Sequence, residues 1–239
     1  MDARREDGVR RRRFRGDVGG RQVPGVLFSP DEVEGPRPII LFGHGGSQHK
    51  EDPGVVEYAR RWIEEYGLNV GAIDGPIHGE RRADGQSGPA VQAEFRDVWA
   101  TGNGRIDEMV EDWRATIDFL VGQDAINGDK IGWFGLSMGT AYGIPLIARD
   151  PRIGCALLGM WGLNFVNSAR LGEDARKVTI PCAVQMKWDD QFFTRDGQCA
   201  LFDRIGSTEK TLKAFLGGHV PPEGEQLEDL FGYLGHRLG

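Results

Sequence analysis

The chain has 239 residues, of which 39% are hydrophobic and 27% charged, with a formal net charge of −7. That length can bury a full core without disulfides or metal and is expected to form one domain, 1–239. The acidic balance disfavours a general nucleic-acid role, and no apolar run approaches the roughly 20 residues that a membrane span needs.

The charged first 15 residues lack the apolar stretch of a signal peptide, so the expected location is cytoplasmic. Arg10, Arg11, Arg12 and Arg13 form a basic run that could attract phosphate, but its setting reads more simply as the solvated face of a strand. The run leads through Gly16, Asp17, Gly19 and Gly20 into Val23 and Phe28, which predicts an antiparallel hairpin.

After the hairpin, apolar runs at 38–42, 68–73, 130–134, 154–160, 182–188 and 211–216 read as strands separated by helical patterns. This alternation predicts an α/β fold: a mostly parallel central sheet with helices on both faces. The clearest helix carries Ile106, Met109, Val110, Trp113, Ile117, Leu120 and Val121 at spacings of three and four, ending near Gly122. Others are expected over about 55–65, 137–149 and 223–236, with Pro145 interrupting the hydrogen bonds of the second.

Two connections are longer than a crossover needs, 75–104 and 161–180, and both leave the carboxyl ends of strands, where open α/β sheets bind ligands. Within the first, Val91, Phe95, Val98 and Trp99 could form a short amphipathic helix. Both connections are candidate walls of a pocket, and their aromatic residues could equally fill secondary core.

The pentapeptide Gly135, Leu136, Ser137, Met138, Gly139 lies between a predicted strand and a predicted helix, the setting in which G-x-S-x-G forms a nucleophile elbow. Side chains in place of the two glycines would collide with the neighbouring strand and helix, and the turn would aim the Met138 N–H at an adjacent oxyanion. A serine hydroxyl needs a base and a carboxylate that orients the base. Of five histidines, His219 alone follows the last predicted strand, in a loop broken by Gly217, Gly218, Pro221 and Pro222. Asp189 and Asp190 follow the run 182–188, and either could be the carboxylate.

The elbow and the order Ser, Asp, His make the chain resemble the α/β-hydrolase superfamily, most closely its single-domain dienelactone-hydrolase-like esterases. The resemblance spans about 24–238. It also rests on Phe42, Gly43, His44, Gly45, Gly46 and on Asp74, Gly75, Pro76, Ile77, His78, Gly79, Glu80, Arg81. It implies the α/β-hydrolase fold, Asp190 in preference to Asp189 as the acid, and an oxyanion hole made by the N–H groups of Gly46 and Met138. Asp196 reads instead as a first-turn residue of the next helix.

By the same resemblance, His44 is expected to tie down its loop, and His78, Glu80 and Arg81 to make structural contacts beside the pocket. Arg81 or Arg82 gripping a substrate carboxylate is the weaker alternative. Dienelactone hydrolases proper place cysteine where this chain has Ser137, so ordinary esters are the expected substrates.

The expected function is cleavage of small-molecule carboxylic esters through an acyl-enzyme, with Trp99, Trp161, Phe165, Phe192 and Phe193 as candidate pocket residues. No metal or organic cofactor is implied. Cys155, Cys182 and Cys199, odd in number and widely spaced, read as free thiols. Amide hydrolysis or acyl transfer on the same triad remains open, as does a non-catalytic ligand-binding protein of this fold. Nothing in the pattern specifies an oligomeric state.

Overall fold

The computed structural model describes residues 3–6, 8–31 and 35–239. Residues 1, 2 and 7 of the charged N-terminal segment, and 32–34 between the hairpin and the first parallel strand, lie outside the described residues.

The described strands join in one nine-stranded sheet. In chain order they are β1 (Ala3–Glu6), β2 (Val9–Val18), β3 (Arg21–Pro30), β4 (Arg37–Gly43), β5 (Asn69–Ile73), β6 (Ile126–Leu136), β7 (Ile153–Gly159), β8 (Cys182–Lys187) and β9 (Lys210–Phe215). Their spatial order is β1-β2-β3-β5-β4-β6-β7-β8-β9. The hairpin β2–β3 turns at Gly19 and Gly20, and the first three strands and the β3–β5 pair run antiparallel. From β5 to β9 all neighbours are parallel. The sheet is therefore mostly parallel with an N-terminal antiparallel hairpin. β1 is an addition that the sequence pattern did not suggest.

Among the described residues there are seven α-helices: α1 (Pro53–Tyr66), α2 (Pro89–Gly102), α3 (Ile106–Val121), α4 (Met138–Ile147), α5 (Ala169–Ala175), α6 (Arg195–Arg204) and α7 (Glu225–Leu238). The period of two along each strand divides the core into two layers. Ile39 and Leu41 of β4, with Ile131 and Trp133 of β6, face a layer holding Trp113, Ile117 and Leu120 of α3, Ile144 of α4 and Leu201 of α6. Ile40 and Phe42, with Phe134, face the opposite layer, which holds Val55, Trp62 and Ile63 of α1 and Phe231 and Leu234 of α7. Parallel strands covered on both faces must be apolar on both, which is why they read as continuous hydrophobic runs.

Local signals set the helix ends. The Asp52 side chain accepts from the Gly54 N–H ahead of α1, with Pro53 at the first helical position, and the helix ends at left-handed Gly67. Thr194 caps α6 by accepting from the Gly197 N–H, and Asp196 sits in that helix's first turn. The helix α4 runs through Pro145 and stops two residues later. Three arginines of the basic run of β2 face carboxylates: Arg10 faces Asp31 at 3.9 Å, while Arg11 and Arg13 reach Glu51 at 3.6 and 2.9 Å.

The connection from β4 leads to β5 on one side and that from its neighbour β6 leads to β7 on the other, so the two connections leave adjacent carboxyl ends in opposite directions. A crevice forms at such a switch point. Residues 44–52 after β4, 74–88 after β5 and the elbow after β6 all converge there. No described helix is long and apolar enough to cross a membrane. Cys155 and Cys182 are buried, Cys199 is half-buried, and all three thiols are free.

Candidate active site

The turn from β6 into α4 places Ser137 at φ 55° and ψ −119°, a strained conformation for a residue with a side chain. Its surroundings require glycine on both sides. A Cβ on Gly135 would lie 2.5 Å from the Gly139 carbonyl group, and one on Gly139 would lie 2.1 Å from the Gly43 carbonyl oxygen. The turn is bonded to the end of β7, where the Ser137 N–H donates to the Gly159 carbonyl at 2.9 Å. The buried Thr140 hydroxyl lies 2.7 Å from the Gly135 carbonyl and 2.6 Å from that of Gly159.

Two loops bring a base and a carboxylate to this serine. The Ser137 Oγ–H donates to His219 Nε2 at 2.9 Å, and His219 Nδ1–H donates to Asp190 Oδ2 at 2.7 Å. This assigns the proton of neutral His219 to Nδ1, since the carboxylate can only accept. The Asp190 side chain is fully buried and that of His219 is 6% exposed. The second Asp190 oxygen accepts from the Phe192 and Phe193 N–H groups at 2.8 and 3.0 Å, which fixes the orientation of the carboxylate.

Asp189 points elsewhere: its side chain is 55% exposed, faces Arg195 and accepts from the Gly217 N–H. It staples the histidine loop, helped by the Gln191 side chain accepting from the His219 N–H at 2.9 Å.

The loop after β4 is held by two buried histidines in opposite tautomers. His44 Nδ1–H donates to the Gly45 carbonyl, while its Nε2 accepts from the Gly75 N–H, both at 2.9 Å. His78 Nε2–H donates to the Gly46 carbonyl at 3.0 Å. Burial lowers the His44 pKa to about 4. Burial and the neighbouring His44 lower that of His78 to about 3. Both rings are neutral at pH 7.

In a trans peptide the C=O and N–H point opposite ways, so the bond from His44 to the Gly45 carbonyl also fixes where the Gly46 N–H aims. Among the described residues, neither the Gly46 nor the Met138 N–H donates to another group of the protein. In the ion cluster below this loop Glu80 makes the structural contact expected of it, whereas sequence reasoning missed Lys50. Buried Lys50 donates to Asp74 at 2.9 Å and to Glu80 at 2.6 Å, and its own backbone N–H donates to Asp74 at 3.0 Å.

Arg81 pairs with buried Asp112 at 2.8 Å, and Arg82 with Asp84 and Glu94 at 2.7 and 2.6 Å. Neither is free to hold a substrate carboxylate, which corrects that alternative. Among the described residues no group of three or more His, Cys, Asp or Glu is placed to hold a metal ion.

Two spaces meet at Ser137 and His219. A cavity of about 340 Å³ is lined by Phe42, Tyr58 and Phe134, by Gln48 and Gln92, and by Val220 and the two prolines after it. A crevice of about 20 Å³ is lined by Gly46, Phe95, Arg96, Trp161, Phe165, Phe192 and Phe193. Four of the five expected aromatic residues thus border the crevice. Trp99 borders neither space and must be corrected: it is fully buried, stacks edge-on against Trp161 at 4.8 Å and donates its Nε1–H to the Val166 carbonyl. Its apolar periodicity belonged to the inner face of α2. The cavity escaped sequence reasoning because its floor joins residues from β4, α1 and β6 that share no local pattern.

No model of a protein family matches the chain. YtaP of Bacillus subtilis (strain 168), a hydrolase by name, is 28% identical over 145 residues. That match takes in 56% of this chain and 47% of YtaP, so it spans about half the length of that relative. Acetyl xylan esterase 1 from Thermoanaerobacterium sp. JW/SL YS485 superposes with a TM-score of 0.74 over 99% of this chain and 87% of its own, at 14% identity, and so shares the fold. A cold-adapted esterase from an Arctic intertidal metagenomic library, in its PEG-bound complex, is 36% identical over 99% of this chain and 97% of its own, with a TM-score of 0.87. With a mostly parallel sheet, an elbow serine at its switch point and this full-length likeness, the chain belongs to the esterases of the α/β-hydrolase superfamily.

Proposed function

We propose that the protein hydrolyses carboxylic esters through an acyl-enzyme formed on Ser137. The observation that carries this reading is the unbroken hydrogen-bond line from Asp190 through His219 to Ser137. His219 Nε2 takes the Ser137 proton as Oγ attacks the ester carbonyl, then returns it to the departing alcohol. Buried Asp190 holds the imidazole in the tautomer that leaves Nε2 free to accept, and stabilises the imidazolium that forms. Water, deprotonated by the same nitrogen, then releases the acid.

The developing oxyanion is received by the N–H groups of Gly46 and Met138, and each such donor contributes about 3 to 4 kcal/mol to transition-state stabilisation. Their lack of protein acceptors supports this role. The serine directs the chain toward ordinary esters and away from the cysteine-dependent dienelactone reaction. The residues work as one domain, in which connections 75–104 and 161–180 cover the site.

A fluorophosphonate probe tests the reading. It should label the folded wild-type protein at Ser137, and Ser137→Ala should lose both labelling and turnover of phenyl acetate. A folded wild type that neither labels nor cleaves any simple ester would sink the proposal.

A further inference from the structure

The two spaces that meet at Ser137 differ in volume by more than tenfold, and their walls differ in kind. The cavity of about 340 Å³ has bare backbone on one side, at Gly43, Gly45, Gly46, Gly54 and Gly88. Its floor is aromatic, with Phe42 and Phe134 at 4.7 Å and Tyr58 edge-on to Phe134 at 5.8 Å. For scale, an engineered apolar cavity of about 150 Å³ accepts benzene. The Tyr58 hydroxyl makes no hydrogen bond among the described residues and adds a polar handle to that cavity beside Ser47, Gln48 and Gln92.

The crevice, about 20 Å³, is the opposite case. A single water occupies about 10–15 Å³ on this kind of measure, so a methyl group nearly fills the space. Apart from Gly46, Gln92, Arg96 and Ser137, its walls are rings packed on rings: Trp161 against Phe193 at 4.7 Å, Phe165 against Phe193 at 5.2 Å, and Phe192 edge-on to His219 at 5.2 Å. The Arg96 guanidinium, also in the lining, lies 4.7 Å over the Phe192 ring. Admitting one more methylene requires unstacking an aromatic pair, whereas the cavity has spare room for a whole ring.

We propose that the enzyme takes unequal esters: one side of the scissile bond is no larger than a methyl group on its carbonyl or oxygen, and the other is ring-sized. The substrate class is therefore either acetate esters of cyclic or aromatic alcohols or methyl esters of cyclic or aromatic acids. Phe192 and Phe165, the partly exposed members of the crevice wall, set the limit on the small side. This inference rests on the proposed ester hydrolysis at Ser137.

Two substrate series test it on the intact protein. One lengthens the acyl group of phenyl esters from acetate to butyrate to octanoate, and the other lengthens the alkyl group of benzoates from methyl to butyl to octyl. The expected result is that only one series supports turnover with a methyl-sized small side, and that kcat/KM in it falls by at least about 10-fold by the four-carbon member. Phe192→Ala, and independently Phe165→Ala should the first variant misfold, should restore the four-carbon substrate by at least about 10-fold relative to the one-methyl substrate. Equal rates along both series, or no recovery in a folded widened variant, would overturn the inference while leaving ester hydrolysis intact. Absence of all turnover and of fluorophosphonate labelling would remove the parent reading and this one with it.

Discussion

Acidification should unfold this protein through the two histidines that hold the loop bearing Gly46. His44 and His78 are buried and neutral, with pKa values lowered from 6.5 to about 4 and about 3 by burial, reinforced in His78 by the adjacent His44 ring. Their rings also face Lys50, Arg81, Arg82 and the Asp74 carboxylate. An unfolded histidine binds its proton below pH 6.5 while the folded one does not, so protonation draws the chain toward the unfolded state. The stabilisation is complete above pH 6.5 and is lost as pH falls toward the folded values. Each histidine costs about 1.4 kcal/mol per pH unit in that window, so the pair removes about 5 kcal/mol between pH 6.5 and 4.5.

That loss is comparable with the entire stability of many domains. The window also lies above the range in which the ion-paired carboxylates Glu80, Asp84, Asp107 and Asp150, whose pKa values are lowered, begin to lose their contributions. Urea unfolding of the wild type and of His78→Gln, measured at half-unit intervals from pH 7 to 4.5, separates the two histidines. The glutamine amide can still donate to the Gly46 carbonyl but does not titrate, so the slope of stability against pH should fall by about half. Identical slopes for the two proteins, or a flat wild-type curve, would refute the reasoning.

Asp190→Asn should lower kcat by about 10⁴-fold for whichever of phenyl acetate and methyl benzoate the wild type cleaves, with little change in far-UV circular dichroism, because the amide cannot hold His219 in the required tautomer. Asp189→Asn should stay within about 10-fold of wild type, and the reverse ranking would move the acid to Asp189. Lys50→Met leaves the buried Asp74 carboxylate without its cation and should cost about 3 to 5 kcal/mol in urea unfolding. A loss under about 1 kcal/mol would mean that the cluster is better hydrated than its burial implies. Gly139→Ala places a methyl against the Gly43 carbonyl oxygen and should destabilise by about 1 to 3 kcal/mol or more, with fluorophosphonate labelling of Ser137 sharply reduced.

The parts of the site that read clearly from sequence are those fixed by short-range constraints. Ser137 is announced by glycines that a tight strand-to-helix turn demands, and His219 by breakers that follow a strand and precede a helix. The choice between Asp189 and Asp190 needed the fold, because it depends on which carboxylate can accept the Phe192 and Phe193 N–H groups while reaching His219. Trp99 was misplaced because a helical period identifies the buried face of α2 without saying whether a ligand or another aromatic ring lies opposite. The cavity floor was invisible for a different reason: Phe42, Tyr58 and Phe134 come together only after three separate elements have packed. Likewise the Lys50 cluster joins residues 24 and 30 positions apart in the chain.

The segments that line the crevice are sewn to each other. Trp99 on α2 donates to the Val166 carbonyl, and Asn167 donates back to the Trp99 carbonyl at 3.1 Å and to that of Ala100 at 2.5 Å. Trp161 anchors the second segment from within, its Nε1–H donating to Ser168 Oγ at 3.1 Å. Two flaps hinged separately could each breathe and admit a longer chain on its own. Joined in this way they form a single plate, so widening the crevice requires the plate to shift as a whole or a stitch to break. A substitution that removes the two Asn167 bonds and leaves only that from Trp99, such as Asn167→Ala, would therefore loosen substrate selection without altering a residue of the crevice wall.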